Sequence, residues 1–536
     1  MRRTLGIAVL TVAALTASVT RCAPASRGLF ARLATPAAIT LRPAESRGDV
    51  SPYIYGVALE WTENGTRVFD PAAGRLRPEV MDLLKPLHIP VWRFPGGILA
   101  DYYNWRDGVG PRNQRPARKN PMDNAEYASN FGTDEFIEFC RQLGGEGLVT
   151  ANYGTGTVQQ LLEWDRYFKD QGLPIRYWEI GNEVYLADPG DHPAVPGNDK
   201  RIYHPPAQYA TDFQSWAKAI RAQNPQSLVG AIAGTTNTSA ANKDWYSVLT
   251  GSGAARDADF ICLHNAYAPL IFTPWDYKNE GKRLEAYRAM YAQCDQFAED
   301  TRHVRGTLPP KADGRIAKIA ITEHFPLFGG GGGKDQMIAL LDQSKTLASA
   351  LYTASLFHAF MREGVWMANY NIAVSKWFGA LITDTDQGLV RTPSYHVYDL
   401  YRNHFGNHLV GIEVNGPTYS TGEVGMVKAR RAVAQLDAVA TRDDAGRLYL
   451  AVINRNLTNG LGAKIEIAGG GRGPAEVLTL SGPAANAING AALGPTVLAG
   501  ERDAITPRSS TWNGGPGASY SFPPRSVTLF RWEKSN

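Results

Sequence analysis

From residue 52 to about 400 the chain alternates short apolar runs with longer amphipathic stretches, and this alternation limits the fold more than any other feature. The runs are YIYGVAL (53–59), PVWRF (90–94), GLVTANY (147–153), IRYWEI (175–180), LVGAIAG (228–234), DFICLH (259–264), KIAIT (318–322) and VWMANY (365–370). They are rich in Val, Ile, Tyr and Trp and mostly lack polar alternation, as strands buried on both faces do. Between them lie helical stretches such as PEVMDLLKPL (78–87), TDEFIEFCRQLG (133–144), PAQYATDFQSWAKAIRAQNP (206–225) and QMIALLDQSKTLASALYTASLFHAFMREG (336–364). Eight runs alternating with helices predict an α/β fold, a (β/α)8 TIM barrel over residues 52–404. The competing arrangement, a doubly wound sheet, would call for a glycine-rich phosphate loop after the first strand, and none is there.

After YHVYDLYRNHF (395–405) the texture changes. AVAQLDAVATRDDAGRLYLAVINRN and SYSFPPRSVTLFRW alternate apolar and polar residues, with Gly, Pro and Asn between them, which predicts an antiparallel β-sandwich over 405–536. AAITLRPAE (37–45), within the segment 37–51, predicts an N-terminal strand joining that sandwich. GGGGGK (329–334) lacks the strand and Ser/Thr context of a phosphate loop and is expected to be a loop on the barrel rim.

At the N-terminus, Arg2 and Arg3 precede the apolar run LGIAVLTVAALTASV, too short to span a bilayer comfortably, with small residues around Ala23–Ala25. Residues 1–25 therefore read as a secretion signal, implying a secreted or periplasmic location. Cys22 offers a lipoprotein alternative that the preceding Arg21 fits poorly. No other stretch is long and apolar enough for a membrane span. The net charge of +4 is spread along the chain without a basic cluster, which argues against a nucleic-acid partner. Cys140, Cys262 and Cys294 show no metal-binding or disulfide spacing, and their odd number predicts a free, buried thiol.

Barrels place reactive residues at the C-terminal ends of their strands. Glu60 ends the first run, Glu183 follows the fourth, and Glu323 follows the seventh. Glu179 lies inside the fourth strand, where an internal ion-paired role is expected. Two carboxyl groups about 5–5.5 Å apart can carry out retaining glycoside hydrolysis, one as acid/base and one as nucleophile. Asn182, just before Glu183, is placed to hydrogen-bond a sugar hydroxyl. On spacing alone, one of the three glutamates could equally be structural.

WEIGNE (178–183) resembles the Asn-Glu signature of clan A glycoside hydrolases, whose acid/base ends strand four and whose nucleophile ends strand seven. SPYIYGVALEW (51–61), VWRFPGGILADYYNWRDGVGPRNQRP (91–116), ANYGTGT (151–157), TPSYHVYDLYRNHFG (392–406) and FPPRSVTLFRW (522–532) resemble segments of glycoside hydrolase family 51, the α-L-arabinofuranosidase family. The resemblance implies Glu183 as acid/base and Glu323 as nucleophile. Glu60, Arg93 and Asn182 match substrate-pocket or supporting positions, with Arg93 alternatively paired to a carboxylate beneath the pocket. His264 in LHNAY matches a histidine at the end of strand six; a buried, hydrogen-bonded histidine is the competing view. Tyr267 stands one position later than the family's tyrosine, with Ala266 in its place. Ile98 and Val374 occupy positions where the family presents a sugar-binding asparagine and a glutamine, so altered glycon recognition is expected. Of the tryptophans near strand ends, Trp61, Trp105, Trp178, Trp275 and Trp377, the last and Trp275 are the candidates for stacking on a sugar.

The expectation is a secreted retaining glycoside hydrolase acting by double displacement on plant or microbial oligo- or polysaccharide, α-L-arabinofuranosidase-like in specificity, requiring no metal or organic cofactor. An endo-β-glucanase, another clan A exo-glycosidase, or a transglycosylase shares the chemistry. A non-catalytic carbohydrate-binding protein is the alternative of another class. Oligomeric state is not written in the sequence.

Overall fold

The structure, a computed structural model, describes residues 37–119, 125–189, 202–235, 238–329, 334–377, 379–470, 473–515 and 517–534. The expected secretion signal, Cys22 and residues 330–333 of the glycine run lie outside the described residues.

Each of the eight apolar runs contributes one barrel strand: Gly56–Ala58, Val91–Phe94, Glu146–Ala151, Tyr177–Ile180, Leu228–Ile232, Phe260–Cys262, Lys318–Leu327 and Met367–Tyr370. Neighbours pair in parallel, and the eighth strand pairs with the first, Asn369 opposite Gly56, to close the barrel. Val91–Phe94, Tyr177–Ile180 and Met367–Tyr370 are buried at every residue. Interior side chains and outer helices cover both faces, which is why these runs show no polar alternation.

The helices begin where local chemistry favours them. Pro78 opens Pro78–Leu84 and Pro206 opens Pro206–Gln223, at a position that needs no amide donor. Val158–Asp170 starts with a reciprocal cap, in which Gln160 N donates to Thr157 Oγ1 at 3.3 Å and Thr157 N to Gln160 Oε1 at 3.0 Å. The stretch 336–364, expected as one helix, is two: Lys334–Gln343 and Leu347–Arg362. Thr346 is extended (φ −74°, ψ 163°) and its hydroxyl accepts from Ser349 N, while Ser349 Oγ donates to Gln343 O at 2.7 Å. One Thr/Ser pair thus closes the first helix and opens the second, and continuous apolar periodicity hides the break in the sequence.

The remaining strands form a nine-stranded sheet in the order Arg508–Trp512, Ala475–Leu480, Ser526–Trp532, Leu448–Asn454, Leu436–Arg442, His408–Asn415, Ala37–Asp49, Leu461–Ile467, Ser519–Phe522. All pairings are antiparallel except that of Ala37–Asp49 with Leu461–Ile467. Aromatic contacts link strands far apart in that order. Tyr520 and Phe522 stand 4.9 and 6.1 Å from Phe530, so the sheet folds over a core that includes Ile39, Leu41, Val452 and Trp532. It joins the barrel through Asp437, which binds His358 Nδ1 at 3.1 Å, Arg455 Nη2 at 2.6 Å and the Arg362 guanidinium. Cys140, Cys262 and Cys294 are all free and buried.

Candidate active site

Two local irregularities present the two glutamates. After the fourth strand, Gly181 takes φ +80°, and a Cβ there would stand 3.0 Å from Tyr153 Cβ. Asn182 N donates to Asp101 Oδ2 at 3.0 Å, and Glu183 follows with φ +38°, in the left-handed region that non-glycine residues avoid. The buried Asp101 anchors this turn by also accepting from Tyr153 N and Gly154 N. On the seventh strand, Ile321 pairs with Ala368 but His324 pairs with Tyr370, leaving one extra residue in the seventh strand. This bulge falls on Thr322–Glu323 and re-aims Glu323. The sequence places Glu323 beyond the end of its strand. Instead the strand runs on to Leu327, because its last residues gain a partner in Ala266–Pro269.

Arg93, with no exposed surface, sits beneath both. Its Nε lies 2.8 Å from Glu179 Oε2, its Nη1 2.5 Å from Glu323 Oε1, and its Nη2 2.7 Å from Asn182 Oδ1. Glu179 is fully buried and also accepts from Thr150 Oγ1 at 2.8 Å and Thr322 Oγ1 at 2.5 Å. Burial alone would raise the Glu179 pKa, but the Arg93 charge, with His264 and the hydroxyl donors, holds it below the ordinary value. The structure thus places Arg93 as the sequence's alternative allows, under the pocket and paired to carboxylates.

His264 bridges to the turn that carries Glu183, with Nδ1 2.8 Å from Glu183 Oε1 and Nε2 3.0 Å from Thr322 Oγ1. The Thr322 hydroxyl has one proton and gives it to Glu179, so it must accept from His264 Nε2–H. Nδ1 is then left to share a proton with Glu183. Burial would depress the His264 pKa, but the Glu323 charge and the Glu183 hydrogen bond outweigh it and raise the pKa above 6.5. Tyr267 reaches the site despite its one-residue offset, its hydroxyl donating to Glu323 Oε2. Glu183, His264 and Glu323 each offer a donor atom within 4.8 Å of the others. A cation held there would have to compete with the hydrogen bonds that already engage both imidazole nitrogens.

A cavity of about 160 Å³ opens beside this cluster, lined by Glu60, Thr62, Glu63, Thr66, Phe325, Val374 and Trp377 among others. Burial, then the Glu323 and Glu63 charges, push the Glu60 carboxyl up to about 7. Val374 presents a buried apolar wall, and Trp377 is 43% exposed. Ile98, half-buried, follows Gly97, where a Cβ would approach Glu323 Oε1 to 2.9 Å. Asn182 Nδ2 is buried with no partner among the described residues. The other tryptophans lie elsewhere: Trp61, Trp105 and Trp178 are core residues, and Trp275 packs beneath Lys282. Sequence reasoning did not single out Asp101, Thr322, or the turn from Glu63 to Arg67, in which five successive residues have positive φ. The Asn64-Gly65 pair is the one signal that could have marked that turn.

Two family profiles match the chain: the α-L-arabinofuranosidase 1 domain over residues 83–259 and the α-L-arabinofuranosidase C-terminal domain over residues 332–526. A probable α-L-arabinofuranosidase C of Aspergillus terreus is 26% identical over 532 residues, covering 92% of this chain and 97% of its own. An intracellular exo-α-L-arabinofuranosidase of Bacteroides ovatus is 26% identical, covering 78% of this chain and 81% of its own. Among solved structures, the α-L-arabinofuranosidase of Thermotoga maritima in complex with arabinose superposes with a TM-score of 0.73 at 24% identity, covering 92% of this chain and 99% of its own. That last likeness speaks to the fold.

Proposed function

The chain belongs to glycoside hydrolase family 51, the α-L-arabinofuranosidase family, and on that premise we propose that it releases terminal α-L-arabinofuranosyl residues with retention of configuration, Glu323 as nucleophile and Glu183 as acid/base. One observation carries the mechanism: carboxylate oxygens of Glu183 and Glu323 lie within 4.8 Å. That matches the spacing of about 5–5.5 Å used in double displacement and leaves no room for the water an inverting pair holds at about 6.5–9.5 Å.

Glu323 attacks the anomeric carbon as the glycosidic C–O bond breaks, and the proton of Glu183 goes to the departing oxygen. Glu183 then takes a proton from water, whose oxygen attacks the same carbon and frees Glu323. Arg93 and Tyr267 each hold one oxygen of Glu323 and so fix its line of attack. Being fully buried, Arg93 acts through Glu323 and Asn182 and not on the sugar. His264 serves as the proton partner of Glu183.

The Glu60 cavity takes the glycon. Its volume of about 160 Å³ suits a single small glycon, which favours exo action over an endo-β-glucanase. Asn182, with no exposed surface, supports the site through Arg93, and Trp377 covers the rim of the cavity. The apolar wall at Val374 sets this glycon site apart from one that bonds every hydroxyl. The N-terminal pattern of Arg2, Arg3 and an apolar run supports export of the chain.

A panel of aryl glycosides tests the assignment. The wild type is expected to cleave the α-L-arabinofuranoside, and Glu323→Ala to lose about 10³-fold or more in kcat. Tight glycan binding without turnover of any aryl glycoside would identify a carbohydrate-binding protein instead. A dominant coupled product in the presence of added acceptor would identify a transglycosylase.

A further inference from the structure

Asn182, the residue before Glu183, is held at two points by one stretch of chain. From the second strand, Arg93 Nη2 donates to its side-chain Oδ1 at 2.7 Å. From the loop after that strand, Asp101 Oδ2 accepts its backbone N–H at 3.0 Å. One hold on the side chain and one on the main chain fix both where Asn182 sits and how its peptide is turned. Glu183 follows at φ +38°, a conformation that persists only where the surroundings over-determine it. On the other side of Asn182, Gly181 takes φ +80°, and a Cβ there would lie 3.6 Å from Asp101 Oδ1. The turn therefore closes directly over the Asp101 carboxyl.

Asp101 is 2% exposed and is itself held in place. Its Oδ1 accepts from Tyr153 N at 3.3 Å and Gly154 N at 3.2 Å. Its main-chain oxygen accepts from Thr155 N at 3.1 Å and Thr155 Oγ1 at 3.0 Å. The three amides on the carboxyl all belong to segments that follow the third and fourth strands, at the end of the barrel where reactive groups sit. The short helix that carries Asp101, Ile98–Tyr102, begins just after Gly97, where a Cβ would approach Glu323 Oε1 to 2.9 Å. One segment thus reaches Glu323 at its start and the turn carrying Glu183 three residues further on.

We propose that Asp101 is a positioning residue for the acid/base, setting the angle at which the Glu183 carboxyl meets the departing oxygen. The inference rests on the assignment of Glu183 as acid/base of a retaining hydrolase. Asp101 is buried beneath the turn and acts through the Asn182 peptide, not on the sugar. Proton delivery matters most when the leaving group is poor, so misaiming Glu183 penalises poor leaving groups selectively. A carboxyl that served folding alone would have no such preference.

The test compares kcat/KM for an alkyl and a nitrophenyl α-L-arabinofuranoside in wild type, Asp101→Asn, Asp101→Ser and Glu183→Ala. A nitrophenolate departs with little help, whereas an alkoxide needs the proton. Asparagine offers one oxygen and one NH2 group, so it sets donor against donor on at least one of the three amides. Serine is smaller, and its one hydroxyl cannot serve all three; it decides alone should the asparagine variant misfold. The alkyl-to-nitrophenyl ratio cancels any loss of folded enzyme. It is expected to fall at least about fivefold in each Asp101 variant, within the roughly 10²-fold that misplacement by about 1 Å can cost. Glu183→Ala, which removes the acid outright, should lower it further. A fall of less than about fivefold in the Asp101 variants, with the ratio lowered in Glu183→Ala, overturns the proposal and leaves the hydrolase assignment standing. An unchanged ratio in Glu183→Ala, or no turnover of either glycoside by the wild type, overturns the assignment on which the role rests.

Discussion

Arg93 binds Glu179, Glu323 and Asn182 with a single guanidinium that has no exposed surface. Removing one partner of a buried ionic cluster leaves its charges uncompensated. Arg93→Ala is therefore expected to lose about 3–5 kcal/mol in urea unfolding, with activity falling as Glu323 loses its support. A loss below about 1 kcal/mol, the scale of an exposed pair, would show that the cluster does not hold the centre. Glu60 gives a second prediction. Its carboxyl keeps its proton up to about 7 in the folded chain, while the unfolded chain ionises near 4.5. The folded state binds more protons in that window, so Glu60 makes stability fall as pH rises from about 4.5 to about 7. Glu60→Gln should flatten the thermal-unfolding profile across this range, and an unchanged slope would contradict the shift. The glutamates and His264 were legible in the sequence because strand-end position and motif mark them. Asp101 and Thr322 were not, since their importance arises from three-dimensional proximity to Asn182 and Glu179.

At the scale of elements, the bulge at Thr322–Glu323 and the left-handed residue at Glu183 present the two carboxyls proposed to react. Neither leaves a sequence signal, because a bulge is a matter of register between strands and a strained φ is imposed by its anchors. The split of 336–364 at Thr346 was hidden for a related reason: a cap within an apolar run is outweighed by the periodicity around it. Gly97 tests how tightly the elements close on the site. A Cβ there would come 2.9 Å from Glu323 Oε1 and push the proposed nucleophile out of line. Gly97→Ala is expected to lower kcat about tenfold or more, since misplacement of the order of 1 Å can cost about 10²-fold. Wild-type kcat in that variant would mean that Glu323 has room to spare.

Across the whole molecule, the eightfold alternation announced the barrel, and the change to two-residue periodicity announced the second sheet. The strand Ala37–Asp49 precedes the barrel in the chain yet pairs within the sheet formed by the C-terminal residues, as its own alternation suggested. The interface between the two was not legible, because Asp437, His358, Arg362 and Arg455 are polar residues scattered over one barrel helix, one sheet strand and the residue after another strand. Burial would raise the Asp437 pKa, but Arg362, Arg455 and His358 hold it well below the usual carboxylate range. Its stabilisation is thus present above the unfolded value of about 3.8 and is lost as pH falls through the lower folded one. Asp437→Ala should cost about 3–5 kcal/mol at neutral pH and turn one thermal transition into two as barrel and sheet uncouple. A single transition at the wild-type midpoint would show that the network does not join them.

The central claim is that Glu323 becomes covalently bound to the sugar. Incubation with a 2-fluoro arabinofuranosyl fluoride, whose glycosyl-enzyme turns over slowly, followed by peptide mass spectrometry, tests this directly. The account predicts one added fluoroglycosyl group, on the peptide that contains Glu323. A label on the peptide containing Glu183, or hydrolysis of the reagent with no labelled peptide and an inverted product, would contradict it.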